Sequence, residues 1–92
     1  MLKIEFTARM KRDTRRMLKR GRDISRLEAV IDALAKREPL PEKLRDHALT
    51  GPFSGFRECH IEPDWLLIYR VDGARLILIA AATGTHSDLF GE

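Results

Sequence analysis

Two apolar runs, Trp65 to Tyr69 and Leu76 to Ala82, stand on either side of Asp72-Gly73. Runs this short and this rich in branched residues read as strands buried in a sheet, and Asp-Gly between them is a strong signal for a two-residue antiparallel hairpin. The hairpin commits the second half of the chain to a sheet. Phe56 to Ile61 precedes it, joined through a turn at Glu62 to Asp64, so three strands are expected in succession: Phe56 to Ile61, Trp65 to Val71 and Ala74 to Ala82. Neither apolar run is long enough to span a bilayer.

The first half follows other periods. In "LKIEF", Leu2, Ile4 and Phe6 alternate with Lys3 and Glu5, which is the pattern of a half-buried strand. Thr7 can then cap a helix running to about Arg20, with a thin apolar stripe of Ala8, Met10, Met17 and Leu18 and with Gly21 as its stop. Asp23 is a second candidate cap. Ile24, Leu27, Ile31 and Leu34 follow at three-and-four spacing, with Val30 beside them, until Pro39 ends the helix at about Glu38. From Pro39 to Gly55 the prolines and glycines break every period, leaving a long ordered loop with a short helical turn around Pro41 to Asp46. At the other end Thr83, Gly84 and Thr85 are expected to leave the sheet before one helical turn at Ser87 to Phe90. The order is strand, two helices, three strands. It predicts an α+β domain over residues 1–92, with a helical hairpin on one face of an antiparallel sheet and a short C-terminal helical turn.

Charge narrows the partner. The net charge is +3, and between Lys3 and Arg26 ten lysines and arginines face only Glu5, Asp13 and Asp23. Such a segment suits a polyanion, either nucleic acid or an acidic protein, where the plainer reading is a solvated helix face. The single cysteine, Cys59, cannot close an internal disulfide and reads as a small buried hydrophobe. No apolar run follows the first charges as in a signal peptide, so a reducing, cytoplasmic setting is expected.

Chemistry rests on few side chains. The chain has three histidines: His47 in the loop, His60 near the end of a strand and His86 just after the last strand. Asp64 opens the strand after His60. Antiparallel pairing can bring His60, Asp64 and His86 to one edge of the sheet, and imidazoles with a carboxylate suit acid–base work near neutral pH. Taken one at a time, each also has a structural explanation as a turn or capping residue, Trp65 is expected in the core, and Phe90 can be a plug for the last turn. Zinc is the sharper rival for three histidines and an aspartate, but no HxH, HxxxH or CxxC spacing supports it, and no metal is expected.

The stretch "DHALTGPFSGFRECHIEPDWLLIYRV" and the later "TGTHSDLFG" resemble the RelE superfamily of bacterial toxins, specifically its YafQ branch. The likeness follows the whole chain in element order and is strongest over residues 46–69 and 83–91. It implies a ribosome-dependent mRNA endonuclease that cuts the codon in the A site, needs no metal or other cofactor, and is held inactive by a cognate antitoxin, expected to be of ribbon-helix-helix type and encoded beside it. Its partners would be the ribosome and mRNA. The implied reaction is attack of a ribose 2′-OH on the neighbouring phosphate. By this resemblance His47, His60, Asp64 and His86 form the catalytic set. His86 would be the general acid, His47 and Asp64 base and orienter at the 2′-OH, and His60 a phosphate holder. Glu58 matches a position that contacts mRNA, and Phe90 an aromatic that stacks on a base. Lys11, Arg12, Arg15, Arg16, Lys19, Arg20 and Arg22 would grip ribosomal RNA.

One position departs from the pattern. Ala82 stands where the family often has an arginine before Thr-Gly-Thr-His, so either Arg57 or Arg75 stands in at the phosphate, Arg57 being the substrate-binding choice, or the charge there is weaker. Two other readings compete: a ParE-like toxin directed at gyrase, whose relatives lack the histidine set, and a non-catalytic RNA- or ribosome-binding module.

Overall fold

A computed structural model describes residues 1–91. Strand β1 (Lys3–Phe6) leads through the Thr7 cap into α1 (Ala8–Lys19), and α2 (Ile24–Ala35) completes the helical hairpin. A two-residue strand β2 (His47–Ala48) follows, then β3 (Arg57–Glu62), β4 (Trp65–Asp72) and β5 (Ile77–Gly84), and the described chain ends with α3 (His86–Phe90). Single helical turns at Glu42–Leu44 and Gly51–Phe53 punctuate the long loop. The sheet has five strands in the order β1-β5-β4-β3-β2.

The caps act as their chemistry dictates. Thr7 Oγ1 accepts from the backbone N–H of Met10 at 3.0 Å and donates to the carbonyl of Ala81 at 2.7 Å, so one hydroxyl starts α1 and ties it to β5. Asp23 accepts from Ser25 N–H and starts α2. The second helix stops at Ala35, short of Glu38. Arg37 takes a left-handed φ of 58°, and Glu38 N–H returns to the carbonyl of Ala33, closing the helix before Pro39 is reached.

Two expectations need correction. The sheet is mixed rather than antiparallel, because β1 pairs with β5 in parallel register, Lys3 opposite Ile77. Patterning inside a strand fixes which face is buried, not which way a distant neighbour runs. The β4–β5 hairpin also closes further out than Asp72-Gly73 implied. Asp72 pairs with Ile77, its carboxylate accepts from Arg75 N–H at 3.1 Å, and Leu76 turns with φ 56°. β5 therefore begins three residues later than Ala74 and runs on through Thr83 and Gly84.

Both faces of the sheet are covered. On the helix side Met10, Met17, Leu27 and Ile31 meet Cys59, Trp65, Leu67 and Tyr69. On the other side Leu66, Ile68, Ala82 and Leu89 pack with Leu49, Phe53, Phe56 and Phe90 from the loop and α3. Thr83 is fully buried: its hydroxyl donates to the Leu66 carbonyl at 2.6 Å and accepts from the Trp65 indole at 2.9 Å, and its N–H reaches Asp13. That network pins the end of β5, from which the site is hung.

Candidate active site

Strand alternation decides which side chains share the site. Glu58 and His60 lie opposite Ile68 and Leu66, and so on the face away from the helices. His47 faces Glu58 across the β2–β3 pair. A bulge between His60 and Glu62 then changes the register. It turns Glu62 to the helix side, where Arg22 and Arg26 hold its carboxylate, the latter at 2.6 Å.

At the end of β5, Thr85 and Asp88 form a reciprocal capping box that starts α3. It presents His86 as the first helical residue. Asp64 in the β3–β4 turn accepts through one oxygen from His86 N–H at 2.9 Å and from His86 Nδ1 at 2.7 Å. These two bonds hold the Asp64 carboxyl below its ordinary range. With Nδ1 occupied, Nε2 of His86 is the nitrogen left for a substrate.

The three imidazoles stand in a row. The His60 ring lies 6.4 Å from that of His47 and 5.7 Å from that of His86, centre to centre. His47 is held from both ends, with Nδ1 2.6 Å from the Arg45 carbonyl and Nε2 3.0 Å from Oε2 of Glu58. A ring that donates through Nδ1 to a carbonyl can meet a carboxylate through Nε2 only across a second proton, carried by the ring or by Glu58. Both nitrogens are then occupied. Two buried polar atoms have no partner among the described residues, Glu58 Oε1 and His60 Nδ1, and both belong to this row.

Each expected residue has a definite place. His47, His60, Asp64 and His86 come together on one rim, but Asp64 serves His86 and not His47; the carboxylate beside His47 is Glu58. Glu58 is only 6% exposed, so it reaches His47 rather than open solvent. Phe90 is half-buried and packs edge-on against Phe53 at 5.5 Å, acting as part of the plug. Arg57 points to the helix side and binds Asp46, whose other partner is the Tyr69 hydroxyl. Burial and that carboxylate push the Tyr69 phenol well above its ordinary range. Arg75 sits at the hairpin tip on Asp72, at the opposite end of β5 from the site. Neither arginine stands beside Ala82, which is buried at 2% exposure. Cys59 is enclosed in the helix-side core, and burial raises its thiol to about 12, which rules it out as a nucleophile.

Among the seven cations expected to face the ribosome, Arg16 and Arg20 are drawn to Asp88, and Arg22 to Glu62. Lys11, Arg12, Arg15 and Lys19 are exposed, with no ion pair among the described residues. Lys43 and Arg45, which the sequence did not single out, are equally uncommitted and lie beside His60. Their signal was available only in three dimensions, since the loop shows no period.

A helical hairpin over one face of a five-stranded sheet, with a histidine–carboxylate rim on the other, defines a small RelE-like bacterial toxin. Residues 2–91 match the family model described as "Bacterial toxin of type II toxin-antitoxin system, YafQ", and the chain belongs to that family. The mRNA interferase toxin YafQ of Escherichia coli (strain K12) is 37% identical over 89 residues, covering 96% of this chain and 95% of the relative. The crystal structure of the E. coli DinJ-YafQ complex aligns with a TM-score of 0.89 at 35% identity, over 99% of this chain and 100% of the matched one. A metal-bound toxin from Helicobacter pylori aligns at 0.92 with 39% identity, over 98% and 100%. Among the described residues no group of three or more His, Cys, Asp or Glu side chains is placed to hold a metal ion. Among those residues, too, no helix is long and apolar enough to cross a membrane.

Proposed function

We propose that this toxin is an endoribonuclease, an mRNA interferase that cuts translated mRNA in the ribosomal A site, in the cytoplasm, and is inactivated by a cognate antitoxin. The observation that carries the proposal is the row of His47, His60 and His86 with a carboxylate at each end, Glu58 and Asp64. The names of the E. coli relatives support mRNA as substrate, and the DinJ-YafQ complex supports an antitoxin partner, for which the ribbon-helix-helix type encoded alongside is the expected form.

The reaction needs a base for the 2′-proton, an acid for the leaving 5′-oxygen and donors for the charged phosphorane between them. His86 suits the acid: Asp64 fixes its ring through Nδ1, and Nε2 is the nitrogen left to protonate the 5′-oxygen. His47 does not suit the base that the sequence suggested, because both its nitrogens are engaged. It suits a positioning role, bridging the Arg45 carbonyl and Glu58 beside His60. His60, next to His86, is then the base. The 2′-oxygen bonds to phosphorus as its proton passes to His60. The bond to the 5′-oxygen breaks as His86 gives up its proton, leaving a 2′,3′-cyclic phosphate and a 5′-OH. No step calls on a metal.

The test is cleavage in a translating extract by the wild type and by His60→Ala, His86→Ala and Asp64→Ala. Loss of cutting in all three, with folding intact, supports the reading. Cutting that survives them overturns it.

A further inference from the structure

A cavity of about 320 Å³ opens beside the histidine row, between the end of β3 and the single helical turn before β2. Leu44, Ile61 and Pro63 give it apolar walls, His60 closes one side, and Lys43 and Arg45 stand at it. We infer that this cavity is a nucleotide subsite, taking the sugar and phosphate of an mRNA nucleotide that flanks the bond to be cut. The inference rests on the endonuclease reading and names a part of its substrate path.

Three observations converge on it. First, the local charge is positive. The one carboxylate in the wall, Glu62, is held by Arg22 and Arg26, whereas Lys43 and Arg45 make no ion pair among the described residues. An anion entering the cavity therefore meets two cations whose charge is not already matched. Second, the volume lies in the range of small-ligand pockets, and apolar walls with a few polar groups suit a ribose and base edge better than a bare ion. Third, the cavity is built into the site. Arg45 adopts a left-handed backbone with φ 51°, and its carbonyl is the one that fixes Nδ1 of His47. A group held by the Arg45 side chain thus sets the segment that presents His47, and the opposite wall is His60, whose Nδ1 is buried without a partner. The left-handed backbone of Arg45 ends the helical turn and directs the chain to His47.

Glu62 acts here as a counterion that keeps Arg22 and Arg26 at the rim, while Lys43 and Arg45 remain free for the phosphate. The bulge that turns Glu62 toward the helices is therefore part of the subsite.

The experiment is an NMR titration of the full-length, nitrogen-15-labelled chain with a 5′-phosphorylated 2′-deoxytrinucleotide, which has no 2′-OH and is not cut. Expected are shifts concentrated at residues 43–47 and at His60, and an affinity that falls about tenfold in the Lys43→Gln/Arg45→Gln variant. Arg75→Gln, at the far hairpin, should leave the affinity unchanged. Shifts confined to α1, an unaltered affinity in the double variant, or equal shifts from inorganic phosphate alone would overturn the subsite. So would saturation of the same residues by an acidic peptide but not by the trinucleotide. Because the titration does not read cutting, the two proposals fail separately. Binding without cleavage in translating extracts counts against the endonuclease, and cleavage without binding here counts against the subsite.

Discussion

One oxygen of Asp64 accepts both the backbone N–H and the ring Nδ1 of His86, at 2.9 and 2.7 Å. The pair closes a gap of 22 residues and joins the turn between β3 and β4 to the first turn of α3. It fixes the tautomer and the direction of the ring together, which a lone surface histidine cannot do. Asn at position 64 keeps an acceptor for the N–H but removes the carboxylate charge beside the ring. Asp64→Asn is expected to lower the cleavage rate by about 10²- to 10⁴-fold with an unchanged circular dichroism spectrum. The two single variants Asp64→Ala and His86→Ala should not add when combined, since both remove one unit.

The same pair sets an acid limit. His86 holds the Asp64 carboxyl below its ordinary value. The interaction is therefore complete above the unfolded value of about 3.9 and is lost as the pH falls through the lower, folded value. The side-chain carboxyl carbon resonance of Asp64, followed from pH 6 downward, should hold its position until below about pH 4. A carboxyl midpoint at or above the ordinary aspartate value would show that Asp64 is not held by His86.

Glu58 and His47 make a different kind of pair, in which a proton lies between ring and carboxylate while the other ring nitrogen faces a carbonyl. Glu58→Gln supplies an amide that can donate to Nε2, so a neutral ring is then satisfied without charge. Cleavage should fall by roughly 10²-fold in Glu58→Gln with an unchanged circular dichroism spectrum. Unchanged cleavage would remove Glu58 from the site.

The last helix depends on a tight seat. A Cβ on Gly84 would come within 2.8 Å of Asp88 Cβ and 2.9 Å of its Oδ2. Gly84→Ala is expected to cost about 1–3 kcal/mol in denaturant unfolding and to displace His86. Asp88 is bonded by Arg20 at 2.6 Å and closes the capping box, and Arg20 above all holds its carboxyl well below the ordinary range. Its contribution to stability is complete above about pH 4 and lost as the pH falls. Asp88→Asn should therefore flatten the acid limb of the stability profile. A limb as steep as that of the wild type would place the acid sensitivity elsewhere.

The basic helix divides into two sets. Arg16, Arg20 and Arg22 are drawn to acidic side chains of the chain itself, and Lys11, Arg12, Arg15 and Lys19 are not. Replacing the second set with glutamine should weaken ribosome association and reduce its salt dependence, by about one unit of slope for each phosphate no longer neutralised. Replacing Arg20 should act first on stability. If both sets weaken association equally at constant stability, the division has no functional meaning.

Much of this molecule was readable in advance because its local signals agree. Thr7 and Asp23 cap the two helices, Leu27 and Ile31 mark the buried face of α2, and Trp65 to Tyr69 form the central strand. What the sequence hid was non-local. The parallel β1–β5 pairing, the bond of Arg26 to Glu62 and the bond from Thr83 N–H to Asp13 join residues 36 or more apart. The four residues of the proposed catalytic set were legible through their resemblance to a family pattern. Their partners were not: only the folded chain puts Asp64 on His86, Glu58 on His47, and Arg57 on Asp46 rather than beside Ala82.

The central claim is metal-free cutting of translated mRNA by the histidine row. Its most direct measurement is end-mapping of a translated mRNA after exposure to the toxin pretreated with EDTA and freed of it, compared with the same toxin carrying His86→Ala. The account predicts cuts confined to codons being read, with 5′-OH and 2′,3′-cyclic phosphate ends, undiminished by the pretreatment and lost in the variant. Cuts bearing 5′-phosphates, cuts of equal intensity on naked RNA, or cutting that persists in His86→Ala would contradict it.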